Sequence, residues 1–183
     1  VLLDNFHPVI PNKVYRSVQP DIAYLTYDIK KYHIKSVINF RGENKDKSWY
    51  DSEVIISKLL HVKHYDLSLS AYKLPTPTQL RKLVHILQTA PRPMLIHCAG
   101  GSDRTGLAAA ISIILSKDQS TDDLEDQISW QYDAISSSSI GYQVFENYYA
   151  WLKKNHKKHT RANFLQWVNG PLTLKPYSGR FYT

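Results

Sequence analysis

The stretch from Pro93 to Ser116 is the part of the sequence that most limits the fold of this chain. It opens with PMLIHC, an apolar run of strand length, and closes with TGLAAAISIILS, a helix-length segment that is apolar on every side. The first pattern predicts a buried strand, and a helix without a polar side has to be packed on all faces. A strand that turns through a short loop into such a helix is typical of α/β proteins.

Shorter patterns of the same two kinds alternate along the rest of the chain. Strands are predicted at 13–17, 36–40 and 62–69, and helices after Pro20, over 51–60 and around Leu80. Further helices are predicted from Ser120 or Thr121, over 142–158 and over 162–168. The alternation predicts an α/β fold with a short central, mostly parallel sheet flanked by helices, and with a helical C-terminal half.

Length and charge suggest how the chain is organised and what it meets. The 183 residues fit one domain, which we place at 1–170, with a C-terminal tail at 171–183. The net charge of +7 favours an anionic partner. Part of this charge lies in KKNHKKHTR, residues 153–161, which we expect to form a basic helix that meets an acidic membrane surface or is simply a solvated face. We expect no nucleic acid partner and a monomeric protein.

Cysteine content and hydropathy allow more than one cellular compartment for the protein. One cysteine allows no internal disulfide and no multi-cysteine metal site. No apolar stretch approaches the ~18 residues of a membrane span, and no segment has the charged start and apolar centre of a leader peptide. We expect a cytoplasmic protein. An exported protein whose leader has been removed is the alternative, since the chain begins at Val1 rather than at methionine.

The loop CAGGSDR between the predicted strand and helix has the composition of an anion site. A helix N-terminus directs backbone N–H groups and a partial positive charge at an anion, and the two glycines let the backbone curl closely around it. The arginine can bind two phosphate oxygens at once through its planar guanidinium. The predicted phosphate-binding residues are Ala99, Gly100, Gly101, Ser102, Asp103 and Arg104.

The same surroundings favour a thiolate at Cys98, the residue at the base of the loop. Cys98 is therefore the predicted nucleophile, Thr105 is predicted to donate its hydroxyl to the thiolate, and His97 to orient the loop through hydrogen bonds to the backbone. A lone cysteine is more often a small buried apolar residue. That alternative leaves unexplained the two glycines, the arginine six residues on, and the Thr-Gly pair that opens the helix.

His97, Cys98, Arg104, Thr105 and Gly106 resemble the His-Cys-x5-Arg-Thr-Gly signature of the cysteine-dependent protein tyrosine phosphatases. The chain is similar to their compact dual-specificity branch, and VYRSVQP and VINFRGE resemble the openings of its bacterial members. The resemblance implies a two-step reaction in which the cysteine attacks phosphorus and water then frees phosphate. It implies no metal and no cofactor, because the loop amides and the arginine neutralise the charge.

The resemblance also implies a carboxylic acid that protonates the leaving oxygen. Family members usually carry it as an aspartate on the loop before the helix that precedes the signature strand, but here that loop, LSAYKLPTP, has no carboxylate. Asp103 and Asp66 are the two candidates. We favour Asp103, because an aspartate directly before the signature arginine resembles the loop of the myotubularin lipid phosphatases. The alternatives are a loop-bracing hydrogen bond for Asp103 and a strand-end cap for Asp66.

Arg41 follows a predicted buried strand and is a candidate substrate-binding residue, with a surface ion pair as the alternative. The predicted function is a protein tyrosine or dual-specificity phosphatase. A phosphoinositide or inositol phosphate phosphatase is the first alternative, and a catalytically silent phosphate-binding module is the alternative of another class. The expected partner is a phosphorylated protein or a phosphoinositide.

Overall fold

The computed structural model describes residues 6–116 and 139–176. The chain divides into two compact units, which are described one after the other. The first comprises Val1–Leu69 and Thr89–Gly101, and the second comprises Ser70–Gln88 and Ser102–Thr183. The extent of a single domain over 1–170 with a tail at 171–183 stays a prediction.

A five-stranded sheet forms the centre of the first unit. Its strands are β1 (His7–Ile10), β2 (Val14–Ser17), β3 (Ser36–Asn39), β4 (Lys63–Asp66) and β5 (Met94–His97). Their order is β1-β2-β5-β3-β4, and every neighbouring pair is parallel except β1 with β2. The predicted α/β fold with a short, mostly parallel sheet is therefore confirmed. The sequence patterns predicted β2 to β5 but not β1.

The register of the parallel strands gathers their polar last residues at one edge. Ser17 of β2 and Asn39 of β3 both pair with His97 of β5, and Asn39 also pairs with Asp66 of β4. All residues of β2, β3 and β5 are buried, so polar side chains at these positions need partners inside the protein. Cys98 follows β5 directly at this edge, which is where open α/β sheets bind ligands.

Two helices, α1 (Ile22–Tyr32) and α2 (Ser48–Leu59), complete the described part of the first unit. The Asp21 side chain caps α1 by accepting from the N–H groups of Ala23 and Tyr24. The buried residues of α2 are Tyr50, Glu53 and Ser57, while Ile55 and Leu59 are 55% and 66% exposed. The apolar pattern thus predicted the helix, but the helix turns a polar face inward, toward the edge where the strands end.

Four helices make up the described part of the second unit. They are α3 (Pro77–Thr89), α4 (Asp103–Ser116), α5 (Ile140–Lys154) and α6 (Arg161–Asn169). Every residue of α4 from Leu107 to Leu115 is buried, which confirms the prediction of a helix packed on all sides. Among the described residues the C-terminal half is helical, as predicted. The helix predicted from Ser120 or Thr121 lies outside the described residues.

The basic run at 153–161 does not form one helical face. Helix α5 ends at Lys154, His156 has a left-handed φ of 52°, and α6 begins only at Arg161. The expected basic helix is therefore a helix end followed by a connection. Of the helices that the structure describes, none has the length and apolar character needed to cross a membrane.

Arg81 of α3 ties together the end of α6 and the residue that follows it. Its Nε donates to the Val168 carbonyl at 3.0 Å, and its Nη2 donates to the Gly170 carbonyl at 2.8 Å. These carbonyl groups stand where a helix has no further backbone donors of its own, so the side chain supplies what the backbone lacks. The guanidinium thus holds the C-terminal end of helix α6 against α3.

We predict that Arg81→Met, which keeps the side-chain length and removes the donors, lowers the free energy of unfolding by about 1–3 kcal/mol. The melting temperature should fall by roughly 2–10 °C. The matched control is Lys82→Met at the exposed neighbouring position, which should leave the melting temperature nearly unchanged. Equal melting temperatures for the two variants in thermal denaturation would show that the Arg81 contacts do not stabilise the protein.

Candidate active site

The backbone on both sides of Cys98 is held through carbonyl groups. The His97 carbonyl accepts a hydrogen bond from the N–H of Phe40 at 2.9 Å, and the Ala99 carbonyl accepts one from the N–H of Gln19 at 3.2 Å. Phe40 follows β3 and Gln19 lies just beyond β2, the two strands that pair with β5. The neighbouring strands therefore fix the position of the cysteine from both sides.

The next anchored carbonyl is that of Gly101, which accepts a hydrogen bond from the Nη2 of Arg16. Arg16 is fully buried in β2. Gly101 has a left-handed φ of 69°, and a Cβ at this position would lie 2.8 Å from the Ser17 carbonyl oxygen and 2.9 Å from the Val18 nitrogen. Glycine is thus required here both by the backbone conformation and by the close approach of β2.

These three anchored carbonyl groups determine where the amides of the loop point. In a trans peptide unit the C=O and the following N–H point in opposite directions. The carbonyls of residues 99 and 101 face the β2 side, so the N–H groups of Gly100 and Ser102 are directed away from β2, whereas the carbonyl of residue 97 faces β3 and directs the N–H of Cys98 toward the β2 side. The Gly100 and Ser102 amides, turned the same way on alternate residues, offer donors to an anion.

Glu53 forms the buried polar centre beneath this edge. Its Oε1 accepts from His64 Nε2 at 2.7 Å and from His97 Nε2 at 3.1 Å, and its Oε2 accepts from Gln19 Nε2 at 2.7 Å. Burial alone would raise the pKa of Glu53, but the hydrogen bonds from the two histidines outweigh it and hold the pKa at about 2. The hydrogen bond of the His97 ring thus goes to a carboxylate, whereas the sequence predicted bonds to the backbone.

Arg41, the candidate substrate-binding residue, lies just after β3 and connects to the same network. Its guanidinium carbon is 3.6 Å from the ring centroid of Trp49, and its Nη1 donates to the Gln19 Oε1 at 3.1 Å. A flat stack of guanidinium on indole is an attractive cation–π contact and fixes the orientation of the cation. The Gln19 side chain therefore links the Arg41 guanidinium to the Glu53 carboxylate, with one hydrogen bond to each.

Asp66, the alternative general acid, already has donors on both oxygens. Oδ1 accepts from the Asn39 Nδ2 at 2.9 Å, and Oδ2 accepts from the Tyr50 hydroxyl at 2.6 Å. Burial, followed by the hydrogen bond to Asp66, raises the pKa of Tyr50, so the phenol keeps its proton and donates it. The arrangement fixes the position of the Asp66 side chain at the end of β4.

The remaining predicted residues lie along the segment that joins β5 to α4. Cys98 is 2% exposed, while Ala99 and Gly100 are exposed. Asp103, Arg104 and Thr105 form the first turn of α4, with Asp103 and Arg104 half-buried. The hydroxyl oxygen of Thr105 is buried and has no hydrogen-bond partner within residues 6–116 and 139–176. Its bond to the thiolate, like the roles of residues 99–104, stays a prediction.

A comparison with protein families matches residues 8–140, more than half of the chain, to PTP-SAK, the Swiss Army Knife protein, DSP-PTPase phosphatase domain. The chain belongs to this family of dual-specificity-like phosphatases within the cysteine-dependent protein tyrosine phosphatase superfamily. It is a cysteine-based phosphatase, as the resemblance of its loop implied.

Solved structures with the same fold include three phosphatases. The core catalytic domain of the PP-IP phosphatase SIW14 from S. cerevisiae has a TM-score of 0.62 at 22% identity, covering 85% of this chain and 95% of that one. TpbA from P. aeruginosa has a TM-score of 0.53 at 23% identity, covering 69% of this chain and 73% of that one. PTPMT1 has a TM-score of 0.60 at 18% identity, covering 82% of this chain and 99% of that one. None of the curated proteins compared with the chain matches it.

The sequence patterns missed Glu53, Gln19 and Trp49. Glu53 lies in a helix whose run of aliphatic residues suggested a different inward face, and only the spacing of Tyr50, Glu53 and Ser57 on one helical side hints at the true one. Gln19 and Trp49 lie just beyond β2 and at the start of α2, and their meeting with Arg41 depends on the order of the strands. That order is a long-range property that no local pattern specifies.

We predict that Gly101→Ala lowers the free energy of unfolding by about 1–3 kcal/mol, because of backbone strain and the clash with β2. Inorganic phosphate should raise the melting temperature of the wild type, by preferential binding to the folded state, and should no longer raise that of the variant. Gly106→Ala is the matched control, since among the described residues outside its own helix backbone a Cβ there meets no atom within 4 Å, and alanine favours a helix. An undiminished phosphate-induced shift in Gly101→Ala would contradict the assigned loop geometry.

Proposed function

We propose that this phosphatase hydrolyses phosphoproteins, with phosphotyrosine as its preferred residue, through a cysteinyl-phosphate intermediate. The observation that carries the proposal is the anchoring of the carbonyls of residues 99 and 101 on the β2 side, which turns the amides of Gly100 and Ser102 away from that strand as anion donors. Cys98 comes directly before these residues, at the end of the middle strand of the sheet. In the proposed reaction, one loop therefore both binds the phosphoryl group and carries the nucleophile.

In the first step the Cys98 thiolate attacks phosphorus, an S–P bond forms, and the bond from phosphorus to the leaving oxygen breaks. The general acid gives its proton to that oxygen and becomes a carboxylate. In the second step this carboxylate takes a proton from water, the water oxygen attacks phosphorus, and the S–P bond breaks to return the thiolate and inorganic phosphate. Arg104 and the loop amides neutralise the charge on the equatorial oxygens.

Hydrogen bonding supports Asp103 over Asp66 as the general acid. Both oxygens of Asp66 already accept a hydrogen bond, from Asn39 and from Tyr50, which holds this side chain at the end of β4. Among residues 6–116 and 139–176, Asp103 forms no side-chain hydrogen bond or ion pair, so within that part of the chain its carboxyl group is uncommitted. It is also adjacent to the arginine that binds the phosphoryl group in the proposed reaction. An uncommitted carboxyl can alternate between acid and base as the two steps require.

We predict that Cys98→Ser abolishes turnover and that Asp103→Asn lowers kcat by about 10²–10⁴-fold, the usual cost of losing a general acid. Asp66→Asn keeps the side-chain size and should lower kcat by less than the Asp103 change. The measurement is steady-state hydrolysis of a phosphotyrosine peptide, repeated with an aryl phosphate whose leaving group needs little protonation. The Asp103 defect should shrink on the aryl phosphate. A larger defect in Asp66→Asn than in Asp103→Asn would show that Asp66 is the acid.

The charge of the loop supports a substrate with a single phosphoryl group. Between Cys98 and Arg104 the side chains are neutral except for Asp103, which would repel further phosphates on a polyphosphorylated ring. Arg41, oriented by its stack on Trp49, offers one cation near the loop, suited to an acidic residue beside the phosphotyrosine. The TpbA fold offers a parallel, since a cysteine-to-serine form of that protein was solved in complex with pTyr.

Inositol phosphates or phosphoinositides are the second candidate substrates. The net charge of +7 favours a polyanion, and the PP-IP phosphatase SIW14 shares the fold over most of this chain. A panel containing a phosphotyrosine peptide, a phosphothreonine peptide, a soluble inositol polyphosphate and a phosphoinositide in vesicles separates the candidates. We expect the highest kcat/KM for the phosphotyrosine peptide. Faster hydrolysis of the inositol compounds would reverse the assignment, and phosphopeptide binding without phosphate release would indicate a silent module.

A further inference from the structure

Glu53 is a buried charge that the proposed reaction does not use. Its residue is 2% exposed, and both carboxylate oxygens accept hydrogen bonds from side chains of the first unit. A charged group is rarely enclosed in this way unless its partners are held with good geometry. Two of its three partners reach the loop: His97 directly precedes Cys98, and Gln19 binds the carbonyl of the residue after it.

The first of these partners is His97, the residue before the nucleophile. An ionised carboxylate only accepts hydrogen bonds, so the His97 Nε2 must carry the proton that it shares with Glu53 at 3.1 Å. This fixes both the tautomer of a neutral ring and the direction in which the ring lies. His64 binds the same oxygen at 2.7 Å and helps to hold the carboxylate in place.

The second partner is Gln19, which reaches the residue after the nucleophile. Its side-chain amide donates to Glu53 at 2.7 Å, while its backbone N–H donates to the Ala99 carbonyl at 3.2 Å. The Gln19 side-chain oxygen in turn accepts from Arg41. Glu53 is thus connected to the backbone on both sides of Cys98, through one histidine and one glutamine.

We propose that Glu53 is a positioning residue, which acts through His97 and Gln19 to hold the two residues that flank Cys98 in the conformation that binds the phosphoryl group. Its kinetic consequences rest on the proposed function, but its effect on the loop does not. A displacement of the loop by about 1 Å would cost roughly 10²-fold in rate, so a residue that acts only through others can still affect turnover strongly.

The test uses the fact that Cys98 is the only cysteine, so iodoacetamide reports on one thiol. The alkylation rate is measured across pH, with and without inorganic phosphate, in the wild type, in Glu53→Gln and in Gln19→Ala. The matched control is Glu43→Gln, the same chemical change at an exposed acid that pairs with Lys45. Folded fraction is followed by circular dichroism, and kcat and KM are measured on a phosphotyrosine peptide.

We expect Glu53→Gln to need about 10–100-fold more phosphate to protect Cys98, and to lose kcat by a similar factor per folded molecule. The midpoint of its alkylation profile in pH should also move away from that of the wild type. Gln19→Ala, a milder change at a half-buried side chain, should shift phosphate protection in the same direction. Glu43→Gln should match the wild type in all three measurements.

A double variant decides whether Glu53 acts through the histidine. If it does, adding Glu53→Gln to His97→Asn should weaken phosphate protection by a smaller factor than Glu53→Gln does in the wild type, because only the Gln19 route is left to lose. Full additivity would overturn this route. The proposal is also wrong if Glu53→Gln and Gln19→Ala lose only melting temperature, with phosphate protection equal to that of Glu43→Gln. A wild type that phosphate protects but that hydrolyses no phosphomonoester would contradict the proposed function, while the difference in protection would still support the role of Glu53.

Discussion

The structure depends on the fastening of one short loop by the strands on either side of it. An anion can be held by backbone amides only if the carbonyl groups of the same segment are satisfied elsewhere, because a carbonyl dipole turned toward phosphate would repel it. Here a backbone N–H after β3, a backbone N–H beyond β2 and the guanidinium of Arg16 donate to the carbonyls of residues 97, 99 and 101, respectively. The parallel order β2-β5-β3 places those donors where they are needed.

Two buried charges of opposite sign maintain this arrangement from within the first unit. Arg16 contacts the far end of the loop, and Glu53 contacts the near end through His97 and Gln19. Burying ions is costly, and an apolar core of the same volume is often as stable. Their presence under the loop that we propose to bind phosphate is therefore better explained by the precision of the site than by stability alone. Because Glu53 has to reach this site, helix α2 turns its polar face inward.

The sequence was informative where the relevant physics is local. The strand, the glycines and the apolar helix around Cys98 are adjacent in the chain, so their patterns predicted both the α/β class and the phosphatase loop. Strand β1 escaped prediction because it contains Pro8, pairs only at the edge of the sheet and has no fully buried residue. The inward face of α2 escaped because hydrophobic periodicity assumes that apolar residues are buried, whereas here Glu53 is buried and Leu59 is exposed. Such exceptions concentrate where a site requires polar groups.

The most direct measurement is chemical trapping of the intermediate. A phosphotyrosine peptide is mixed with the enzyme, the reaction is stopped in acid within one turnover, and the digested protein is examined by mass spectrometry. We predict one phosphoryl group on the peptide that contains Cys98, absent from unreacted enzyme and lost when the phosphoenzyme is allowed to turn over. Phosphate released in a burst with no phosphoryl group on that peptide, or a phosphoryl group on a different residue, would contradict the central claim that this loop binds the phosphoryl group and that its cysteine attacks it.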